Sequence, residues 1–162
     1  MTLMEQIAGW LKNCKILVVL GIGNPMRGDD AVGIEIVRLL KGKVPKNVKL
    51  LECQIVPENF IGEIKRFNPS HVLMIDAAHF EANPGEARLI PPERISGITF
   101  STHNIPLYVL AEILRETTGA KVLLLAVQPK TTGFGEEITP EIQNAARNIA
   151  KTLLGICREL ID

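Results

Sequence analysis

The sequence predicts a three-layer α/β domain built on a mostly parallel, twisted sheet. Three observations carry that reading. Short continuous apolar runs at 15–20 (KILVVL), 71–76 (HVLMID) and 121–127 (KVLLLAV) have the character of strands buried on both faces. Between them lie segments whose apolar residues recur at helical spacing. Strands that alternate with amphipathic helices call for crossover connections, and hence for parallel pairing.

The elements follow in order. Leu3, Ile7, Trp10, Leu11 and Cys14 share one helical stripe, so residues 1–14 read as an N-terminal amphipathic helix. The strand over Lys15–Leu20 ends at Gly21-Ile22-Gly23. Val32, Ile34, Ile36, Val37, Leu39 and Leu40 fit a helix from about Asp30 to Lys41, stopped near Gly42. Val48–Gln54 is the second strand. Pro57–Phe67 reads as a helix, with Phe60, Ile61, Ile64 and Phe67 on one face. His71–Asp76 is the third strand, and Glu86–Ile90 a short one that ends at Pro91-Pro92. Pro106–Glu116 is a helix with Leu107, Leu110, Ala111 and Leu114 on its stripe. Lys121–Val127 is the last strand, and Pro140 to about Leu160 the last helix.

Composition narrows the function. The chain has 162 residues, the size of one domain (1–162), with no composition break. Eighteen basic and eighteen acidic residues cancel, so the chain lacks the cationic excess that nucleic-acid binding draws on. Aromatic residues are scarce, which argues against base-stacking platforms. Cys14, Cys53 and Cys157 form no C-x-x-C pair, so zinc ribbons, iron–sulfur clusters and thioredoxin chemistry have no support. Three free thiols fit a reducing cytoplasm. The start carries Glu5 and no cationic n-region, unlike a signal peptide, and no apolar run is long enough to span a bilayer.

Sites in open α/β sheets form beyond the carboxyl ends of the strands. Three candidates belong there. The first is the turn Gly21-Ile22-Gly23-Asn24-Pro25-Met26-Arg27-Gly28-Asp29-Asp30. It is neither G-x-G-x-x-G nor a P-loop, and its acidic end opposes pyrophosphate. Asp29 or Asp30 could cap the following helix, while the other points into the cleft. The second is Asp76, a carboxylate closing an apolar strand, whose alternative role is to cap the next loop. The third is Ser101-Thr102-His103-Asn104-Ile105-Pro106. Here Pro106 reads as an early helical position, with Asn104 or Ile105 at the cap, so His103 is held just before a helix. His71 opens the strand that Asp76 ends, roughly 16 Å away at ~3.3 Å per residue, and so cannot share its site. His79, three residues beyond Asp76, rivals His103. Convergence of Asp30, Asp76 and His103 would give an O,O,N set suited to a borderline divalent ion. Such a set could activate a water or polarise a carbonyl.

These residues resemble the hydrogenase maturation endopeptidases, which clip a C-terminal extension from the large subunit of nickel–iron hydrogenases. The likeness is greatest to members serving formate-hydrogenlyase-type complexes. It rests on the 21–30 turn, Pro57-Glu58-Asn59, Ile75-Asp76-Ala77, Asn83-Pro84-Gly85-Glu86, Ser101 to Leu107, Gln128-Pro129 and Gly133-Phe134. These blocks run in family order over about residues 15 to 140. The resemblance implies a phosphorylase/hydrolase-like sheet between helices and an aspartic-type or metal-dependent endopeptidase. It places the family's two acids and its histidine on Asp30, Asp76 and His103, as nickel ligands and catalytic groups. It further implies that the nickel arrives in the precursor, that no organic cofactor is stored, and that the enzyme is a monomer. One stretch departs from the pattern. Many relatives have a glycine turn after the second strand, where this chain has Glu52-Cys53-Gln54-Ile55-Val56. Cys53 lies near the site by this alignment, as a packed thiol or a soft nickel contact.

Two other readings compete. Peptidyl-tRNA hydrolase shares a Gly-x-Gly-Asn-Pro turn, but its histidine follows that turn closely, whereas His103 comes 79 residues after Asn24. A non-catalytic nickel-binding or hydrogenase-assembly module would carry the same residues without cutting. No nucleophile elbow and no H-E-x-x-H motif is present, so serine-hydrolase and zincin chemistry lack a motif.

Overall fold

A computed structural model describes residues 1–98, 100 and 105–162. The strands β1 (Leu17–Ile22), β2 (Val48–Gln54), β3 (His71–Ala77), β4 (Ala87–Ile90) and β5 (Lys121–Val127) form one sheet in the order β2-β1-β3-β5-β4. All neighbours are parallel except β4, which runs antiparallel to β5 at the edge. The expected α/β class and mostly parallel sheet are present. The helices are α1 (Leu3–Trp10), α2 (Val32–Leu40), α3 (Ile61–Phe67), α4 (Pro92–Ile95), α5 (Leu107–Thr118) and α6 (Pro140–Leu160).

Side-chain alternation along the strands separates two cores. Leu17 and Val19 of β1, Leu73 and Ile75 of β3, and Leu125 and Val127 of β5 pack beneath α1, α2 and α6. Val18 and Leu20, Val72 and Met74, and Leu124 and Ala126 point the other way, toward α3, α4 and α5. Every residue of β1 and β3 is buried, as strands covered by helices on both faces must be.

Several boundaries moved, each for a physical reason. β1 runs two residues past Leu20, because Gly21 is a packing glycine rather than a turn. A Cβ on it would lie 2.7 Å from the Gly33 carbonyl oxygen of α2. The helix expected from Asp30 begins at Val32, after a 3₁₀ turn over Gly28–Ala31. The one expected from Pro57 likewise opens as a 3₁₀ turn, Pro57–Phe60, before α3. Pro106 is the N-cap of α5 rather than its first turn. Pro92 starts α4, a one-turn helix with no periodic signature in the sequence. The N-terminal helix ends at Trp10, and the following turn passes through Asn13, whose φ is 65°.

Candidate active site

The strand order fixes where a site can form. β1 pairs with β2 on one side and β3 on the other, so the chain leaves their carboxyl ends in opposite directions. This is the switch point at which doubly wound sheets open a crevice. Asp30 arrives from the turn after β1, and Asp76 stands one residue from the end of β3. Both carboxylates are buried, Asp30 at 1% exposure and Asp76 at 0%. Asp76 lies on the β3 face shared by Val72 and Met74, and so points toward the α3–α5 layer.

The turn that delivers Asp30 is built around its backbone. Gly23 has a φ of 146°, and a Cβ there would sit 1.9 Å from the Asp30 carbonyl oxygen, so only glycine fits. Asp30 Oδ2 accepts the Asn24 backbone N–H at 2.9 Å, which closes the loop on itself. Asp76 Oδ1 accepts the Ala77 N–H at 2.8 Å. Neither Asp30 nor Asp29 caps α2, whose N-cap is Ala31 with no side-chain bond.

Asp29, with no exposure, is a clasp. Its carboxylate accepts the N–H groups of Lys130 (2.9 Å), Thr131 (3.0 Å) and Thr139 (2.7 Å), and the Thr139 hydroxyl. It thereby fixes the loop after β5 and the start of α6 against the turn after β1. Buried Gln128 does the same for the loop beyond Asp76, accepting the N–H groups of Phe80 (2.9 Å) and Ala82 (3.3 Å) through Oε1. These two positioning roles were missed from the sequence. Gln128 stood in a matched block, but a bond to a loop 48 residues away leaves no local spacing signal.

His103 lies outside the described residues, as do Ser101, Thr102 and Asn104. Ile105, two positions beyond it, packs on the same core layer toward which Asp76 points. His79 is exposed, and no group of three His, Cys, Asp or Glu among the described residues is arranged to hold a metal ion. The Asp30, Asp76 and His79 combination is therefore not assembled. His71 sits at the opposite end of β3, its ring edge-on to Trp10 at 4.9 Å, as the strand arithmetic required. Cys53 is buried in the α3–α5 core. Burial, with the Glu63 charge in second place, pushes its thiol up to about 12, so it is a packed thiol and not an available thiolate. At the turn lacking glycine, Gln54 itself takes the left-handed conformation, with a φ of 53°. It sits where the β1–β2 register shifts by one residue, and its carbonyl accepts the Gly23 N–H at 2.9 Å. Glu58 Oε1, in the 3₁₀ turn that follows, is buried without a hydrogen-bond partner.

Residues 34–156 match the hydrogenase maturation protease family (HycI). That span includes Asp76 and begins four residues after Asp30. The chain belongs to the hydrogenase maturation protease family. It is 34% identical over 139 residues to the Hydrogenase 3 maturation protease of Escherichia coli, covering 85% of this chain and 88% of the relative. A Methanocaldococcus jannaschii relative, named provisionally for the same activity, is 36% identical over 164 residues, or 96% of each chain. Among solved structures, the [NiFe] hydrogenase maturation protease HycI of Thermococcus kodakarensis superposes with a TM-score of 0.88 at 34% identity. That match spans 94% of this chain and 99% of the other. Members of this family are peptidases.

Proposed function

We propose that this peptidase removes the C-terminal extension of a nickel–iron hydrogenase large-subunit precursor after nickel has been inserted. The observation that carries the proposal is the pair of buried carboxylates, Asp30 and Asp76, delivered by the two strands that flank the switch point. In the proposed site they act with His103. Two carboxylates and an imidazole suit nickel, a borderline ion that accepts both oxygen and nitrogen donors. The ion belongs to the substrate, so these three side chains recognise a metal already seated in the precursor and need no stored cofactor.

Asp30 or Asp76 serves as general base for the attacking water, a role typically worth about 10²–10⁴-fold. Burial strengthens the field of each carboxylate and excludes bulk water from the cut bond. The enzyme acts as a monomer in the cytoplasm, where its three unpaired thiols stay reduced. Among the described residues no helix is long and apolar enough to cross a membrane.

The test is cleavage of nickel-loaded precursor, read by product mass, with Asp30→Asn, Asp76→Asn and His103→Ala. Each variant is expected to lose cleavage by at least a hundredfold, in line with loss of acid–base help. Near-normal cleavage by all three overturns the site. Equal cleavage of nickel-free and nickel-loaded precursor overturns the recognition step.

A further inference from the structure

The exposed large apolar residues are not scattered. Met1, Met4 and Leu160 lie in the terminal segments; the other four among the described residues are Met26, Ile55, Tyr108 and Phe134. Met26 is in the turn after β1, Ile55 in the turn after β2 and Phe134 in the loop after β5. Tyr108 is at the start of α5, whose far end leads into the first residue of β5, so it too stands at the carboxyl edge. All four therefore stand at the carboxyl edge of the sheet, where the segments carrying Asp30 and Asp76 also lie.

Phe134 is the most exposed of them at 71%, and its backbone is fixed. The Gly135 N–H donates to the Met26 carbonyl at 2.8 Å, the Gly28 N–H to the Glu136 carbonyl at 3.0 Å, and Asp29 clasps both ends of the loop. A phenyl ring held rigidly in water gains nothing for the free protein, because its apolar surface stays hydrated. The same edge is acidic. Segments 23–31, 54–60, 76–86 and 128–139 carry eight Asp or Glu, of which Asp29, Asp30 and Asp76 are buried, against two cations, Arg27 and Lys130. The chain as a whole is neutral, so this concentration is local. A cleft of about 330 Å³ lined by Pro25 and Gly28 of the same turn has Glu35, Glu136 and Glu137 on its wall, against one cation, Arg38, which is paired with Glu52.

We infer that this rim is the docking surface for the precursor polypeptide, with Met26, Ile55, Tyr108 and Phe134 receiving apolar side chains and the surrounding carboxylates receiving cationic ones. The inference rests on the peptidase reading and adds the chemistry of the segment it takes. Acid excess repels phosphate, which sets aside nucleic acid and anionic lipid as occupants. It also steers a cationic partner, in a salt-dependent way. An aromatic anchor beside a stapled loop is the kind of residue that dominates an interface.

The experiment measures KM and kcat on nickel-loaded precursor at low and high salt for wild type, Phe134→Ala, Met26→Ala and the double variant Glu136→Lys/Glu137→Lys. Leu160→Ala, at the end of α6 where the C-terminus meets the loop entering β2, on the opposite edge of the sheet, is the control. Phe134→Ala is expected to raise KM about tenfold, with kcat within about twofold, as for a hot-spot anchor. The lysine pair is expected to raise KM and flatten its salt dependence. Replacing the lysines and arginines of the precursor's extension by Gln should weaken wild type but add little to the lysine-pair variant. Wild-type cleavage with KM unmoved in every rim variant overturns the rim and leaves the peptidase reading standing. No cleavage of precursor by wild type overturns both.

Discussion

The carboxylate of Asp29 accepts hydrogen bonds from both the backbone N–H and the hydroxyl of Thr139, 110 residues further along the chain. Asp30, its neighbour, turns the other way and holds the Asn24 N–H. Two adjacent acids of one turn therefore do different work, one tying α6 to the sheet edge and one closing its own turn, with the site role proposed for it. Asp29→Ala leaves several buried N–H donors without an acceptor and is expected to cost about 4 kcal/mol, read by urea denaturation. Asp30→Asn keeps an acceptor of the same shape and is expected to change stability by less than about 1 kcal/mol while removing cleavage. The reverse pattern, a stable Asp29→Ala and an unfolded Asp30→Asn, would count against this division of roles.

The asymmetry between those two residues shows what could be read along the chain and what could not. β2, β5 and α6 have the bounds expected of them; for β5 a continuous apolar run and for α6 an uninterrupted 3.6-residue stripe is the local signal. Asp76 was legible for the same reason, as the first charge after an apolar strand. Asp29 and Asp30 were ambiguous because cap preference accounts for either one, and the bond that distinguishes them is tertiary. Gly21 read as a turn because a glycine that permits a close helix crossing looks the same in sequence as one that bends the chain. That Asp30 and Asp76 both arrive at the carboxyl edge beside the switch point follows only from strand order, which no residue spacing encodes. His103 lies outside the described residues, so its part in the site still rests on the sequence.

Gln54 occupies a left-handed backbone position with a φ of 53°, at the point where β1 and β2 slip by one residue. A non-glycine residue there costs on the order of 1 kcal/mol in backbone strain, and a glycine returns that gain through unfolded-state entropy. Gln54→Gly is thus expected to leave stability within about 0.5 kcal/mol of wild type. Gln54→Val adds β-branched crowding and is expected to lose about 1–2 kcal/mol. Denaturation midpoints of the two variants decide it. Equal losses for both would mean that the side chain, and not the backbone angle, matters here.

His71 gives stability a pH dependence of known sign. Burial holds its pKa below the ordinary value, the Lys121 charge beside it on β5 acts the same way, and the Trp10 backbone opposes them. Its Nδ1 lies 2.9 Å from the Ser70 hydroxyl, and Nε2 is buried without a hydrogen-bond partner. In the unfolded chain the imidazole titrates near about 6.5. As pH falls through that value the unfolded state takes up the proton first, so folding stability declines until the lower folded pKa is reached. Above about pH 7 the group contributes no slope. Urea denaturation between about pH 7.5 and about pH 5 should show a loss in wild type that is smaller in His71→Phe. Identical slopes for the two proteins would assign the acid sensitivity elsewhere.

Gly33 ties the packing of α2 to the geometry of the crevice. A Cβ on it would lie 2.2 Å from the Ile75 carbonyl oxygen and 2.6 Å from that of Ile22. Both are backbone atoms of the switch-point strands, one of them immediately before Asp76, so neither can step aside as a side-chain tip would. Gly33→Ala must therefore lift the start of α2 from the sheet, carrying the 3₁₀ turn with Asp30 away from Asp76. Overpacking of this kind typically costs about 1–3 kcal/mol, and backbone obstruction places this case at the upper end. If the variant folds, cleavage should fall by more than its stability loss accounts for, since sub-ångström placement of catalytic groups governs rate. A control of matched stability, such as Leu153→Ala on the buried face of α6, should keep its activity. Parallel losses of stability and activity in the two variants would sever the link between this glycine and the position of Asp30.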